Sequence, residues 1–374
     1  MQLFRLWADQ LEVGRPLPWN VYSEQGQLLL TRGYQLVDQA QLDTLVQRGM
    51  FVAQGDFDAQ RRTTTPAPQH EDPVSLWSTI TEQLSALQSL QADDAQLLPS
   101  LNQTAEGVQQ AVSQHRESTL FEALREDDPR GYAVSHAMQT AFLASLVAQR
   151  LGWSSGDRQL MSQAALSMNL GMTPLQSQLS TQTTPLSAEQ RHAVHHHGRA
   201  GRAALEQAGV TDRQWLHAVE YHHVTPDGGP LPADHARFGE LACMLHYADV
   251  YLAKISARAT RPALPSHVAA RQLFLQADGQ RNPYVASIIK ELGVYPPGSC
   301  VRLANGEMAV VARRGEQAHQ PKVCSLVAAN GRPLPYPVRR PTEQPVYKIT
   351  EALPRGSLRH CMPDSRKLAQ ALAD

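Results

Sequence analysis

The sequence has little of what marks a nucleic-acid or membrane protein. Its formal net charge is −1 over 374 residues, and no basic block interrupts it. A duplex reader carries a basic face, so DNA and RNA are not expected partners. Only four cysteines are present (Cys243, Cys300, Cys324 and Cys361), and none forms a CxxC pair. That excludes a zinc knuckle and a disulfide framework and fits reduced thiols in the cytosol. No stretch reaches the roughly 18 apolar residues that a membrane span needs. The opening MQLFRLWADQLEVG carries Asp9 and lacks the apolar run of a signal peptide. A cytoplasmic chain is the expectation.

What remains is a composition with 42% hydrophobic and 18% charged residues, that of a soluble globular protein. The length suffices for two or three domains. Residues 1–55 read as a small accessory α+β module. Two apolar runs flank Gln25-Gly26, a hairpin signal, and Asp38 precedes a helical pattern of Ala40, Leu42, Leu45 and Val46. Nothing in it is chemically reactive, so a docking or dimerisation role is expected. Residues 56–73 lack periodicity, contain three prolines and read as a linker.

Residues 74–293 read as one all-helical domain. Leu76, Ile80, Leu84 and Leu87 line one helix face, and a second helix is expected from about Leu98 to His115. Helix then follows helix, with Gly152 as a terminator and Thr211 or Asp212 as a cap. Strand signals return over 294–352, where Asn305-Gly306 and Asn330-Gly331 are strong hairpin turns. The tail, 353–374, reads as loosely ordered or a short helix. The fold class expected is mainly α, a helical bundle with a small N-terminal α+β module and a short β-rich C-terminal appendage.

The 15 histidines are the chemical feature. His222 and His223 are adjacent and end an apolar-periodic run, with the Asp227-Gly228 turn just after. His195, His196 and His197 lie upstream, and His246 and Asp249 share a helix downstream. Imidazoles and carboxylates hold Zn, Fe or Mn, and a bundle builds such a site from side chains facing inward from several helices. His136, His197, His222, His223 and Asp249 come from separate helices or helix ends and are the candidate ligands. His195 and His196 are expected to face water. His192 and His217 are expected at the surface, and His246 is expected to pack.

From about Tyr132 to Leu292 these residues, in this order, resemble the HD-GYP branch of the HD-domain phosphohydrolases. HHVTPDGG stands where that family has HHE and a DG turn. HYADVYLAKIS resembles its aspartate-bearing helix, ending near Arg258. His136 matches its opening histidine, and HHHGRAG places His197 where the family has a His-Pro pair before a glycine. PPGSCVRLANGEMAVV resembles the β segment that often follows the domain, and the N-terminal module resembles one often found before it. The resemblance implies an HD-type bundle, two or three Fe or Mn ions and hydrolysis of cyclic di-GMP.

The departures fall on the residues that give the family its name. Met168 stands at the histidine of the His-Asp pair, Asn169 at the aspartate and Met172 at the lysine. Val224 replaces a glutamate, and Gly229-Pro230-Leu231-Pro232 occupies the place of the GYP motif. A thioether suits Fe or Mn poorly, and an amide does not ligate as a carboxylate does. His197, His222 and His223 remain as a three-imidazole set for one Fe, Mn or Zn, while His136 and Asp249 are left as a weak pair.

The resemblance therefore implies a degenerate signalling protein of the cyclic di-GMP network. It would be catalytically weak or inactive and act on a protein partner such as a diguanylate cyclase or a motility component. A cyclic dinucleotide ligand and a homodimer are compatible with that reading, and Arg199, Arg202 and Arg258 are the candidate phosphate contacts. The alternative is an active metal-dependent cyclic di-GMP phosphodiesterase with a divergent site. A third reading, a helical output module without ligands, is disfavoured by the five that survive.

Overall fold

The computed structural model of the chain describes residues 3–5, 13–14, 16–17, 19–23, 25–48, 50–53, 72–88, 90, 92–125, 131–223, 236–276, 282–317 and 319–373. Contacts divide it into two units, residues 1–71 and 72–374. Apart from Asp72 and Pro73, the stretch read as a linker lies outside the described residues.

In the first unit, strands β1 (Leu3–Arg5), β2 (Val21–Tyr22), β3 (Leu28–Leu30) and β4 (Phe51–Ala53) form an antiparallel sheet in the order β1-β4-β2-β3. The β2–β3 hairpin turns where Gly26 takes a φ of 80°, a conformation that costs glycine little. Helix α1 (Gln39–Arg48) starts at Asp38, whose Oδ1 accepts from the Gln41 amide at 2.8 Å. Leu17, Val21, Leu36, Leu42, Leu45 and Val52 form its buried core with Trp19 and Met50.

The second unit opens with α2 (Pro73–Leu87). Asp72 caps it by accepting from the Ser75 amide at 3.0 Å, and Pro73 fits the first turn. The expected stripe Leu76, Ile80, Leu84 and Leu87 is the buried face. Helix α3 (Leu97–Gln114) stops at His115, whose φ and ψ of −132° and 32° are not helical, and α4 (Arg116–Arg125) begins a new direction.

Helix α5 (Tyr132–Arg150) is the centre of the bundle. Its side chains are small or apolar nearly all round, and it is buried from Tyr132 through Ala148 except at Val134 and Ser135. Gly152 reverses the chain with a φ of 74°, and Ser154 caps α6 (Ser155–Ser167). A 3-10 turn (Leu170–Met172) leads into α7 (Thr173–Thr181). Helix α8 (Ala188–Gln207) opens with a capping box of Ser187 and Gln190. Asp212 caps α9 (Arg213–Tyr221) by accepting from two amides. Helices α10 (Ala236–Ile255), α11 (Ser266–Gln276) and α12 (Pro283–Leu292) complete the bundle.

The β-rich part is one antiparallel sheet of β5 (Cys300–Leu303), β6 (Met308–Arg313), β7 (Lys322–Val327), β8 (Pro333–Arg340) and β9 (Ile349–Ala352) in the order β8-β7-β6-β5-β9. Gly306 and Gly331, with φ of 87° and 82°, make the two turns expected from their Asn-Gly pairs. The tail folds as α13 (Ser365–Ala373). Its Leu368 is buried in one apolar cluster with Cys300, Val310, Cys324 and Phe121, the last a residue of α4.

A buried carboxylate ties bundle to sheet. Glu291, near the end of α12, has no exposed side-chain surface and accepts from Arg116 of α4, Arg150 of α5 and Arg314 just after β6. Arg314 also donates to the Glu291 carbonyl at 2.8 Å and, through Nε, to Glu117 at 2.8 Å. Removing the charge leaves three guanidinium groups converging on a neutral amide. Breaking a buried ion pair costs about 3–5 kcal/mol, and the lower end applies here because Arg116 and Arg150 keep 36% and 37% of their side chains in solvent. Glu291→Gln should thus lower stability by ~3 kcal/mol in urea unfolding, with Arg150→Met costing less. Equal, small effects would show that Glu291 is not the organising group.

Candidate metal centre

The candidate ligands sit where backbones touch. A Cβ placed on Gly198 of α8 would lie 2.6 Å from the Glu220 carbonyl oxygen, and one placed on Gly171 would lie 2.4 Å from that of His197. Only glycine admits such contacts. Helix α8 is thus pressed against the end of α9 on one side and the 3-10 turn on the other, with His197 between them.

His197 and His222 are both buried, at 2% and 0% exposure. Each donates its Nδ1 hydrogen to the backbone carbonyl three residues earlier, His197 to Val194 at 2.6 Å and His222 to Val219 at 2.7 Å. A carbonyl can only accept, so Nδ1 carries the hydrogen and each Nε2 presents a lone pair. The two Nε2 atoms face one another at 3.0 Å. Burial, foremost, pushes the His222 pKa well below its ordinary value, and the neighbouring His223 and His197 add to the effect. Burial also lowers that of His197. Two facing lone pairs that resist protonation call for a cation.

His223 supplies the third imidazole. It is half exposed, with its ring centre 4.9 Å from that of His197 and 4.3 Å from that of His222. The three residues offer nitrogens that all lie within 4.8 Å of one another. Three imidazoles suit a single divalent ion of the first transition row, so the donor set fits a metal. His246, half buried, donates from Nδ1 to the His222 carbonyl at 2.8 Å and braces the end of α9.

The remaining candidates form a second group. His136 Nε2 contacts Asp249 Oδ1 at 2.6 Å, while Asp249 Oδ2 stands 4.0 Å from His223 Nδ1. Burial alone would raise the Asp249 pKa, but the His136 hydrogen bond and the nearby imidazoles outweigh it and hold the carboxyl well below its usual range. Tyr132, one turn before His136, stacks on it with ring centres 5.0 Å apart. Arg258 donates to the Tyr132 hydroxyl at 2.6 Å and lies over its ring. Tyr132 escaped the sequence reading, although the four-residue spacing to His136 is a signal for it.

Met168 is fully buried in the bundle core. Asn169 is 7% exposed, and its Oδ1 is buried without a hydrogen-bond partner, as is His136 Nδ1. Met172 is half buried at the end of the 3-10 turn. Arg202 is held by Glu220 at 2.6 Å and Glu206 at 3.0 Å, and Arg199 is 80% exposed, 4.0 Å from Glu220. Of the three arginines, Arg258 is the one joined to the candidate ligands, through Tyr132. His195 and His196 are exposed, as is His192. His217, expected at the surface, is instead buried against Tyr221, because α9 turns its Trp215–Val219 side inward. Val224, the Asp227-Gly228 turn and Gly229-Pro230-Leu231-Pro232 lie outside the described residues.

No protein-family model matches the chain, and no curated protein does. Among solved structures the chain is similar to Bd1817, described as a HDG"Y"P protein from Bdellovibrio bacteriovorus. The identity is 15%, the TM-score is 0.49, and the match covers 77% of this chain and 99% of that one. At that level no residue role passes from one protein to the other. Among the described residues no helix is long and apolar enough to cross a membrane.

Gly198→Ala should destabilise the fold by about 1–3 kcal/mol, the range for overpacking, and should weaken metal uptake because α9 must move. Unchanged stability in thermal unfolding would place the helices farther apart than described. A pH dependence also follows. The unfolded chain takes up protons near the ordinary imidazole value of ~6.5, while His197 and His222 resist them in the fold. Stability of chelator-treated protein is therefore full above about pH 7 and falls with acid, by up to ~1.4 kcal/mol per pH unit for each imidazole. Asp249 adds a further loss below ~4, the unfolded carboxyl value. Urea midpoints at pH 7.5 and 5.5 check this, and equal midpoints would contradict it.

Proposed function

We propose that the chain is a degenerate HD-GYP-like signalling protein of the bacterial cyclic di-GMP network, acting by binding rather than by hydrolysis. The observation that carries this reading is the direct His136–Asp249 contact at 2.6 Å, in a chain with Met168 and Asn169 where the family has its His-Asp pair. Asp249 is satisfied by a neighbouring imidazole, Met168 is a core residue, and Asn169 brings no charge.

The centre that remains is the three-imidazole set. His197, His222 and His223 would hold one ion (Fe, Mn or Zn), with the Val194 and Val219 carbonyls fixing two of the rings. When bound, such an ion polarises a phosphoryl oxygen as a Lewis acid. His246 keeps the end of α9 in place, and Arg258 offers charge next to Tyr132. A bound cyclic dinucleotide would present phosphates to that region. The expected partner is a diguanylate cyclase or a motility component, with the N-terminal unit as the docking or dimerisation module.

A second reading, an active phosphodiesterase with a divergent site, is favoured by one observation. Asn169 Oδ1 and His136 Nδ1 are buried polar atoms without hydrogen-bond partners and lie beside the candidate ligands, where a bound ligand or water would satisfy them. The two readings separate in an anaerobic assay of purified protein with Fe or Mn and cyclic di-GMP, read by chromatography. The expected result is no linear dinucleotide or GMP, together with one metal per chain that is lost in His223→Ala. Product that disappears in the His222→Ala, His223→Ala double variant would overturn the binding reading.

A further inference from the structure

Helix α8 has two chemically distinct sides. Its inward side carries His197, Gly198, Gly201 and Leu205. Its outward side carries His192, His195 and His196, all exposed. These three stand at positions i, i+3 and i+4, which share one helix face. The ring centres of His192 and His196 are 4.3 Å apart, and those of His195 and His196 are 4.8 Å apart. Among the described residues none of the three has a hydrogen-bond or acidic partner. Arg199, the next cation along that side, is drawn toward Glu220 at 4.0 Å.

The ring centres are near the spacing of imidazoles sharing an ion, but among the described residues only His197, His222 and His223 bring three ligating nitrogens within 4.8 Å of one another, so the outward rings must turn to share one. A ring ligating at ~2.0–2.1 Å has its centre about 3 Å from the metal, so two rings at 90–110° stand roughly 4.2–4.9 Å apart. Two histidines at i and i+4 on a helix are a metal-binding arrangement in their own right. The helix carrying them is 20 residues long and is fixed at its start by the Ser187–Gln190 capping box, so the backbone spacing is set before any ion arrives. Solvent-facing rings can turn their nitrogens toward a common point without disturbing the core.

We infer that His192 and His196, with His195 as a third donor, form a second, surface site for a late first-row divalent ion such as Zn(II) or Cu(II). Imidazole nitrogen is the preferred donor for these ions. The site is separate from the internal set, because its residues leave the opposite side of α8, and it does not rest on the function proposed above.

The test uses the full-length chain without an affinity tag, stripped with chelator and titrated with Zn(II) by calorimetry. His192→Gln/His196→Gln should bind one ion fewer than the wild type, while His197→Gln/His222→Gln should keep that ion. With Cu(II), the nitrogen hyperfine splitting of the surface ion should vanish in the first variant and persist in the second. Both surface substitutions are on exposed helix positions, and circular dichroism verifies that the variant is folded. An unchanged stoichiometry and affinity in the surface variant would overturn the inference, as would retention of its full copper signal.

Discussion

The candidate centre depends on how closely three stretches of backbone approach. Gly171 and Gly198 remove the side chains that would hold the 3-10 turn, α8 and α9 apart. With the backbones in contact, His197 has nowhere to point but along the seam, and the end of α9 arrives beside it carrying His222 and His223. The helix carbonyls then do a second job. Val194 and Val219 take the Nδ1 hydrogens, so the Nε2 lone pairs are aimed before any ligand is present. That is preorganisation by main chain: ligand orientation set by a carbonyl partner behind the imidazole, without a dedicated side chain.

The other half of the region obeys a different logic. A buried carboxylate needs compensation, and Asp249 finds it in His136. Met168 is a core residue, and burying a side chain of its size contributes about 1.5–3 kcal/mol. Asn169, next in the chain, is left with an unsatisfied oxygen. The three-imidazole set takes its orientation from α8 and α9 themselves.

Local rules carried much of this in the sequence. The Leu76, Ile80, Leu84 and Leu87 stripe, the Asp212 cap and both Asn-Gly turns act over a few residues, so their spacing sufficed. The order of the candidate ligands was likewise legible, because each histidine or acid had to lie at a helix position able to face inward. Long-range pairings were not legible. Glu291 looks like an ordinary acid near a helix end, yet two of its arginines lie 175 and 141 residues away in sequence. His217 looked like a surface residue because its burial depends on which side of α9 meets the bundle. Loose order and a short helix stayed open for the tail because α13, the helix that forms, acquires its partners from the sheet and from Phe121 of α4.

The sheet bears on the centre through these long-range pairings. Arg150, which binds Glu291, is the last residue of α5, the helix that carries His136. Arg355, after β9, donates to the carbonyl of Ile255, the last residue of α10, which carries Asp249, and also to Leu124 at the end of α4. The β-rich part therefore holds the end of α10 directly through Arg355 and that of α5 only through Glu291 of α12, which Arg314 also binds. A charge-assisted contact at 2.6 Å tolerates little sliding of one helix along the other. Fixing the ends of α5 and α10 fixes their relative register, and with it the His136–Asp249 contact.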